Sequence, residues 1–84
     1  MALQRQRPSE HYPPPPSLSE RELQILAMLG EGATSKEIAQ RLKLSIKTIS
    51  NHRGRIIAKF GATNTAAAIV QAYQQGLIAP PDSQ

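Results

Sequence analysis

Between Thr34 and Phe60 the chain reads TSKEIAQRLKLSIKTISNHRGRIIAKF, two short amphipathic segments that meet at Lys43-Leu44-Ser45. The second segment carries Lys47, Arg53, Arg55 and Lys59 and no acid. Two helices joined this tightly must bury their apolar stripes against the same neighbour, which leaves few ways to pack them. Placing Ile49 at zero and turning about 100° per residue brings Ile56 and Phe60 within about 20° of it, with Ile46 and Ile57 flanking, so these residues form a core seam. The opposite side collects Lys47, Asn51, Gly54 and Ala58, with Ser50 and Arg55 on its shoulders. The layout is a helix-turn-helix whose second helix shows a polar, basic face outward.

Charge divides the chain in the same place. Residues 1–37 hold Arg5, Arg7, Arg21 and Lys36 against Glu10, Glu20, Glu22, Glu31 and Glu37, whereas residues 38–81 hold Arg41, Lys43, Lys47, Arg53, Arg55 and Lys59 and no acid. The net charge of +4 is therefore concentrated in the second part. A polyanion held there gains from counterion release, and a pI of about 10.0 is the footprint of a nucleic-acid binder. From charge alone, a solvated basic face remains the plainer alternative.

A chain of 84 residues is one small domain with a thin core. Cysteine is absent, which removes disulfides, thiolate metal sites and cysteine nucleophiles together. His11 and His52 lack further ligands at a spacing that would hold a structural zinc, so neither metal nor cofactor is expected. The longest apolar runs, Ile25 to Leu29 and Ala66 to Val70, are far short of the ~20 residues of a membrane span, and Met1 to Tyr12 lacks the apolar stretch of a signal peptide. The expectation is a soluble chain of the bacterial cytoplasm.

Residues 1–17 contain Pro8 and the run Pro13 to Pro16, with little to bury, and are expected to form a disordered, proline-rich tail. Residues 18–79 are expected to form the folded domain, and residues 80–84 a short C-terminal tail. Caps and period place four helices in the domain. Ser19-Glu20-Arg21-Glu22 is a capping box, preceded by Leu18 as a staple for Leu23, and opens a helix running to about Glu31 before Gly32. Its apolar strip is read as Leu23, Leu26, Ala27 and Gly30, with Ile25 and Leu29 beside it. Thr34 to Glu37 is a second capping box, for a helix whose apolar face is Ile38, Ala39 and Leu42 and which ends near Lys43. Ser45 caps a third helix ending at Phe60 before Gly61, and Asn64 caps a fourth, Thr65 to Gln75, closed by Gly76. No alternating pattern suggests a strand, so the fold class is all-α, a four-helix (tetrahelical) helix-turn-helix domain.

The outward face of the third helix fits the DNA major groove, where Asn holds adenine in two bonds and Arg or Lys holds guanine. Lys47, Ser50, Asn51, Gly54 and Arg55 are the candidate base-facing residues. Gly54 costs roughly 1 kcal/mol against Ala in mid-helix, which either close approach to DNA or a tolerated surface glycine would account for. Helix starts are ready anion sites, which makes Thr34, Ser35, Lys36, Ser45 and Thr48 candidate phosphate contacts, with Lys59 added from the last turn of the third helix. Arg53 lies about 40° from the seam, where it can snorkel across the fourth helix, and His52 about 60° from it, where a half-buried structural histidine fits. No glycine-rich phosphate loop, carboxylate pair or nucleophile elbow is present, and the only aspartate is Asp82, so an enzyme is not expected.

From Leu18 to Ile78 the chain resembles the LuxR/GerE/NarL-type DNA-binding domain, carried by LSERELQIL, TSKEIAQRLKLSIKTISNHRGRI, AKFGATN and AAIVQAYQQGL. The resemblance implies a bacterial transcription regulator with the third helix in the major groove, phosphate contacts from the second and homodimerisation through the fourth. On that helix Ala68, Ile69 and Ala72 take the family's core positions, which leaves Ala67, Val70, Gln71 and Gln74 as the dimer strip. The strip is small and only partly apolar, so a dimer that is weak off DNA is expected. Ser50 and Gly54 stand where many or some members carry a basic residue, Phe60 where leucine is usual and Thr65 where arginine is frequent, so no particular operator carries over. Family members usually carry a receiver or small-molecule sensor before this domain; the proline-rich tail reads as a linker remnant or as the start of a free-standing regulator. The expected function is thus sequence-specific binding of double-stranded DNA by a homodimer on two half-sites. The alternative is a helix-turn-helix protein-interaction module that docks on RNA polymerase or another regulator.

Overall fold

The computed structural model describes residues 16–79, so the expected tails, apart from Pro16 and Ser17, lie outside the described residues. Four α-helices follow one another: α1 (Glu20–Gly30), α2 (Ser35–Leu42), α3 (Ile46–Phe60) and α4 (Thr65–Gln74), and no strand occurs among the described residues. Each begins where a side-chain oxygen takes an otherwise unpaired backbone N–H. Ser19 Oγ accepts from Glu22 N at 3.1 Å while Glu22 Oε1 accepts from Ser19 N at 3.0 Å. Thr34 and Glu37 repeat this reciprocal box at 3.1 and 2.8 Å. Ser45 Oγ accepts from Thr48 N at 3.0 Å, and Asn64 Oδ1 from Ala67 N at 2.8 Å.

The helix ends are equally local in origin. Gly61, at φ 64°, ends α3 in the left-handed conformation that costs glycine little, and Ala62 N then bonds back to the Ile57 carbonyl at 3.1 Å. Between α2 and α3 the same conformation falls on Lys43, at φ 60° and ψ 45°, the only described non-glycine residue with positive φ. Leu44 N closes on the Ala39 carbonyl at 2.9 Å, so the turn is fixed by backbone bonding and Leu44 drops against the core.

α3 is the central element and packs against each of the other helices, whereas α2 and α4 do not touch. Its seam of Ile49, Ile56 and Phe60 meets Ile25 and Leu26 of α1, Ile38 and Ala39 of α2, and Ala68 and Ala72 of α4 in one buried cluster. Two differences from the sequence reading concern register. Ile46 is 50% exposed and does not flank the seam, because it stands at the very start of α3, beyond the reach of its neighbours. On α1 the buried strip begins at Glu22 and runs through Ile25 and Leu26, one residue before the strip led by Leu23, and Leu23 itself is half-buried. α4 approaches closely through its alanines, and Tyr73 donates its hydroxyl to the Gly30 carbonyl at 2.9 Å. A methyl on Gly30 would lie 3.0 Å from both the Tyr73 oxygen and Ile78 Cδ1, so this contact leaves no room for a side chain. No described helix is long and apolar enough to cross a membrane.

Candidate nucleic-acid interface

With its seam buried, α3 has one side left for solvent, and Lys47, Asn51, Gly54 and Arg55 are exposed on it, while Ser50 is half-buried. Nothing lies within 4 Å of where a Gly54 Cβ would be, so the fold does not require glycine there. α3 carries no acid, and its basic side chains therefore act on that surface without a compensating charge on the same helix. Among the described residues, no hydrogen bond or ion pair engages the side chains of Lys47, Asn51 or Arg55.

The residues expected at phosphates divide into two groups. Thr34, Lys36 and Ser45 are exposed at helix starts, and Thr48 is half-buried with its hydroxyl 2.9 Å from Ser45 Oγ. In both helices the cap occupies the third N–H, leaving those of Ser35 and Lys36, and of Ile46 and Lys47, directed out of the helix end. Ser35 is half-buried and its hydroxyl accepts from Arg53 Nη1 at 2.7 Å. Arg53 therefore spans from α3 to α2, and not across α4 as its wheel position suggested. An oxygen that accepts from Arg53 still has its own proton to give outward.

Lys59, also expected at a phosphate, is engaged within the fold. Its ammonium donates to Glu22 Oε1 at 2.8 Å and to the Ser17 carbonyl at 3.0 Å. The Glu22 side chain is buried, and a buried carboxylate without a counter-charge is far more costly than a solvent-screened phosphate contact is favourable. The hydrogen bond from Lys59, then that from the Ser19 amide, hold the Glu22 carboxyl below its ordinary value, overcoming the burial that pushes it up. The pairing spans α1 and α3, and its one sequence signal is an acid in the buried strip of α1. His52 is half-buried as expected, with Nδ1 enclosed and without a partner among the described residues. No group of acidic or histidine side chains able to hold a metal occurs among the described residues.

Along α4, Val70 is 51% exposed and Gln74 is exposed, while Ala67 and Gln71 are half-buried beside the core alanines. The four form a shallow strip remote from the outer face of α3 in sequence.

The family model described as bacterial regulatory proteins, luxR family, matches residues 16–72. The chain is 39% identical over 69 residues to the transcriptional regulatory protein LiaR of Bacillus subtilis (strain 168), covering 82% of this chain and 33% of LiaR. Its fold is similar to that of the transcription factor GerE, with a TM-score of 0.71 and 32% identity over 74% of this chain and 92% of that one. It is also similar to Vibrio cholera VqmA, solved as a ligand–DNA complex, with a TM-score of 0.71 and 29% identity over 79% of this chain and 29% of that one. The chain thus spans a third or less of LiaR and VqmA, and nearly all of GerE. Four helices in this order, a basic α3 turned outward and the matched residues together show that the chain belongs to the luxR family of bacterial regulatory proteins and carries its DNA-binding helix-turn-helix domain.

Proposed function

We propose that residues 18–79 bind double-stranded DNA sequence-specifically as a homodimer on two half-sites, with α3 in the major groove, and that the chain regulates transcription in the bacterial cytoplasm. The observation that carries this is the division of α3 into a buried apolar seam and an exposed, acid-free side bearing Lys47, Asn51 and Arg55. Asn51 and Lys47 lie toward the N-terminal half of α3, the part of such a helix that reaches base edges. Ser50 and Arg55 border them, and Gly54 lets the backbone come close. Thr34, Ser35 and Lys36 at the start of α2 and Ser45 and Thr48 at the start of α3 grip phosphates on either side of the groove. Lys59 is left out of this set because Glu22 holds it. The VqmA relative was solved with DNA, which supports the same partner for this chain.

Ala67, Val70, Gln71 and Gln74 form the dimer contact, with Val70 as its one large apolar side chain. So small a patch gives a dimer that is weak in solution and is completed on DNA.

Selection of tight binders from a random duplex pool at two salt concentrations tests the proposal. Enrichment of a short inverted repeat with steep salt dependence is expected. Salt-dependent binding without enrichment would leave only a non-specific DNA binder, and absence of binding at low salt would move the polymerase-docking alternative ahead. Val70→Glu should abolish cooperative binding to the inverted repeat while leaving the helical circular-dichroism signal intact; unchanged cooperativity would remove α4 as the dimer contact.

A further inference from the structure

On the DNA-binding reading proposed above, we infer that the Ile46 side chain meets the 5-methyl group of a thymine in the major groove and is a specificity-determining residue of α3. Ile46 and Val70 are the exposed large hydrophobic residues of the described chain. Ile46 lies outside the buried core and also outside the shell of partly buried apolar side chains packed against it. Half of the side chain is open to solvent.

Position supplies the occupant. Ile46, Ser50, Gly54 and Ala58 follow one another at four-residue steps and so form one ridge of α3, beside the ridge of Lys47, Asn51 and Arg55. Behind Ile46 the ridge is made of small residues, so nothing holds the helix away from a surface that Ile46 touches. Ile46 is the first residue of α3, and the tilt of its Cα–Cβ bond toward the helix start carries the side chain past the end of the helix. Lys43 and Lys47, both exposed, flank it in sequence, and α3 has no acid, so the surface it meets is anionic. The major groove of an anionic duplex offers hydrogen-bonding edges and a single apolar group, the thymine methyl, and an isoleucine discriminates by covering that group.

The test uses the whole chain and the duplex it enriches. Each thymidine is replaced in turn by deoxyuridine, which deletes the methyl and leaves every hydrogen-bonding edge unchanged. At one thymine position the unaltered chain should lose about fourfold in affinity, the effect of returning roughly one methyl-sized group to water. Ile46→Ala should show no loss at that position and Ile46→Val a partial one, with the thermal unfolding midpoint of both variants unchanged. A flat deoxyuridine scan, an enriched sequence without thymine, or an equal loss in the unaltered chain and Ile46→Ala would overturn the inference about Ile46 while leaving sequence-specific DNA binding standing. Failure of the unaltered chain to enrich any sequence would overturn both.

Discussion

Ile46 and Ile56 belong to the same helix, yet the first is 50% exposed and the second 1%. Lys47 and Lys59 repeat the contrast: one is exposed at the start of α3, the other is bonded to Glu22 and to the Ser17 carbonyl at its end. Two residues of the same type thus do unlike work within one element, and what assigns the work is the neighbouring helix. Toward the end of α3, Ile56 joins the core that α3 shares with the other helices, and Lys59 neutralises the buried acid of α1. At the start, α2 turns away at Lys43, and the same residue types face outward.

Truncation should separate the two ends most sharply in stability. Ile56→Ala should cost about 2–5 kcal/mol in denaturant unfolding, as for a fully buried large-to-small change, whereas Ile46→Ala should fall within about 0.5 kcal/mol of the unaltered chain. Equal effects would erase the distinction. The lysines should differ next. Lys59→Ala, by stranding the Glu22 carboxylate, should destabilise by about 1–3 kcal/mol, and Lys47→Ala should leave stability alone and cost about 1–3 kcal/mol of discrimination at one base position of the DNA. A loss of salt slope in Lys59→Ala without any loss of stability would return that lysine to the phosphate set.

Acid offers a finer probe of the same ion pair. Because folding lowers the Glu22 carboxyl, its contribution is complete above the ordinary glutamate range and is lost as pH falls through the depressed folded value. Stability measured from neutral to acid pH should therefore decline on that limb, and Glu22→Gln should flatten the decline; a limb of unchanged steepness would mean that other carboxylates set it. The smallest effect belongs to Gly54→Ala, which should stabilise the free domain by about 1 kcal/mol and weaken DNA binding. Stabilisation with unaltered affinity would show that the helix backbone does not approach DNA at that point.

The caps and the α3 seam were legible in the sequence because both are local: a hydroxyl and an amide three residues apart, or apolar groups at helical spacing on a long helix. The α1 register was not, since the first position of its buried strip is Glu22, and an acid in a core strip reads as a boundary until Lys59 is seen opposite it. Arg53 read as lying close to the seam, yet its destination on Ser35 of α2, and not across α4, required the packing angle of α2, which no periodicity contains. Ile46 matched the seam by angle and failed it by position along the axis, because a helical wheel is blind to where a neighbouring helix ends.

The outer ridges of α3 make no contact that the rest of the fold depends on. Substitutions among Lys47, Asn51, Gly54 and Arg55 can therefore accumulate in any order without passing through an unfolded chain. If those residues read the DNA as proposed, a lineage carrying this domain is free to drift from one target sequence to another by single steps, each of them a folded protein.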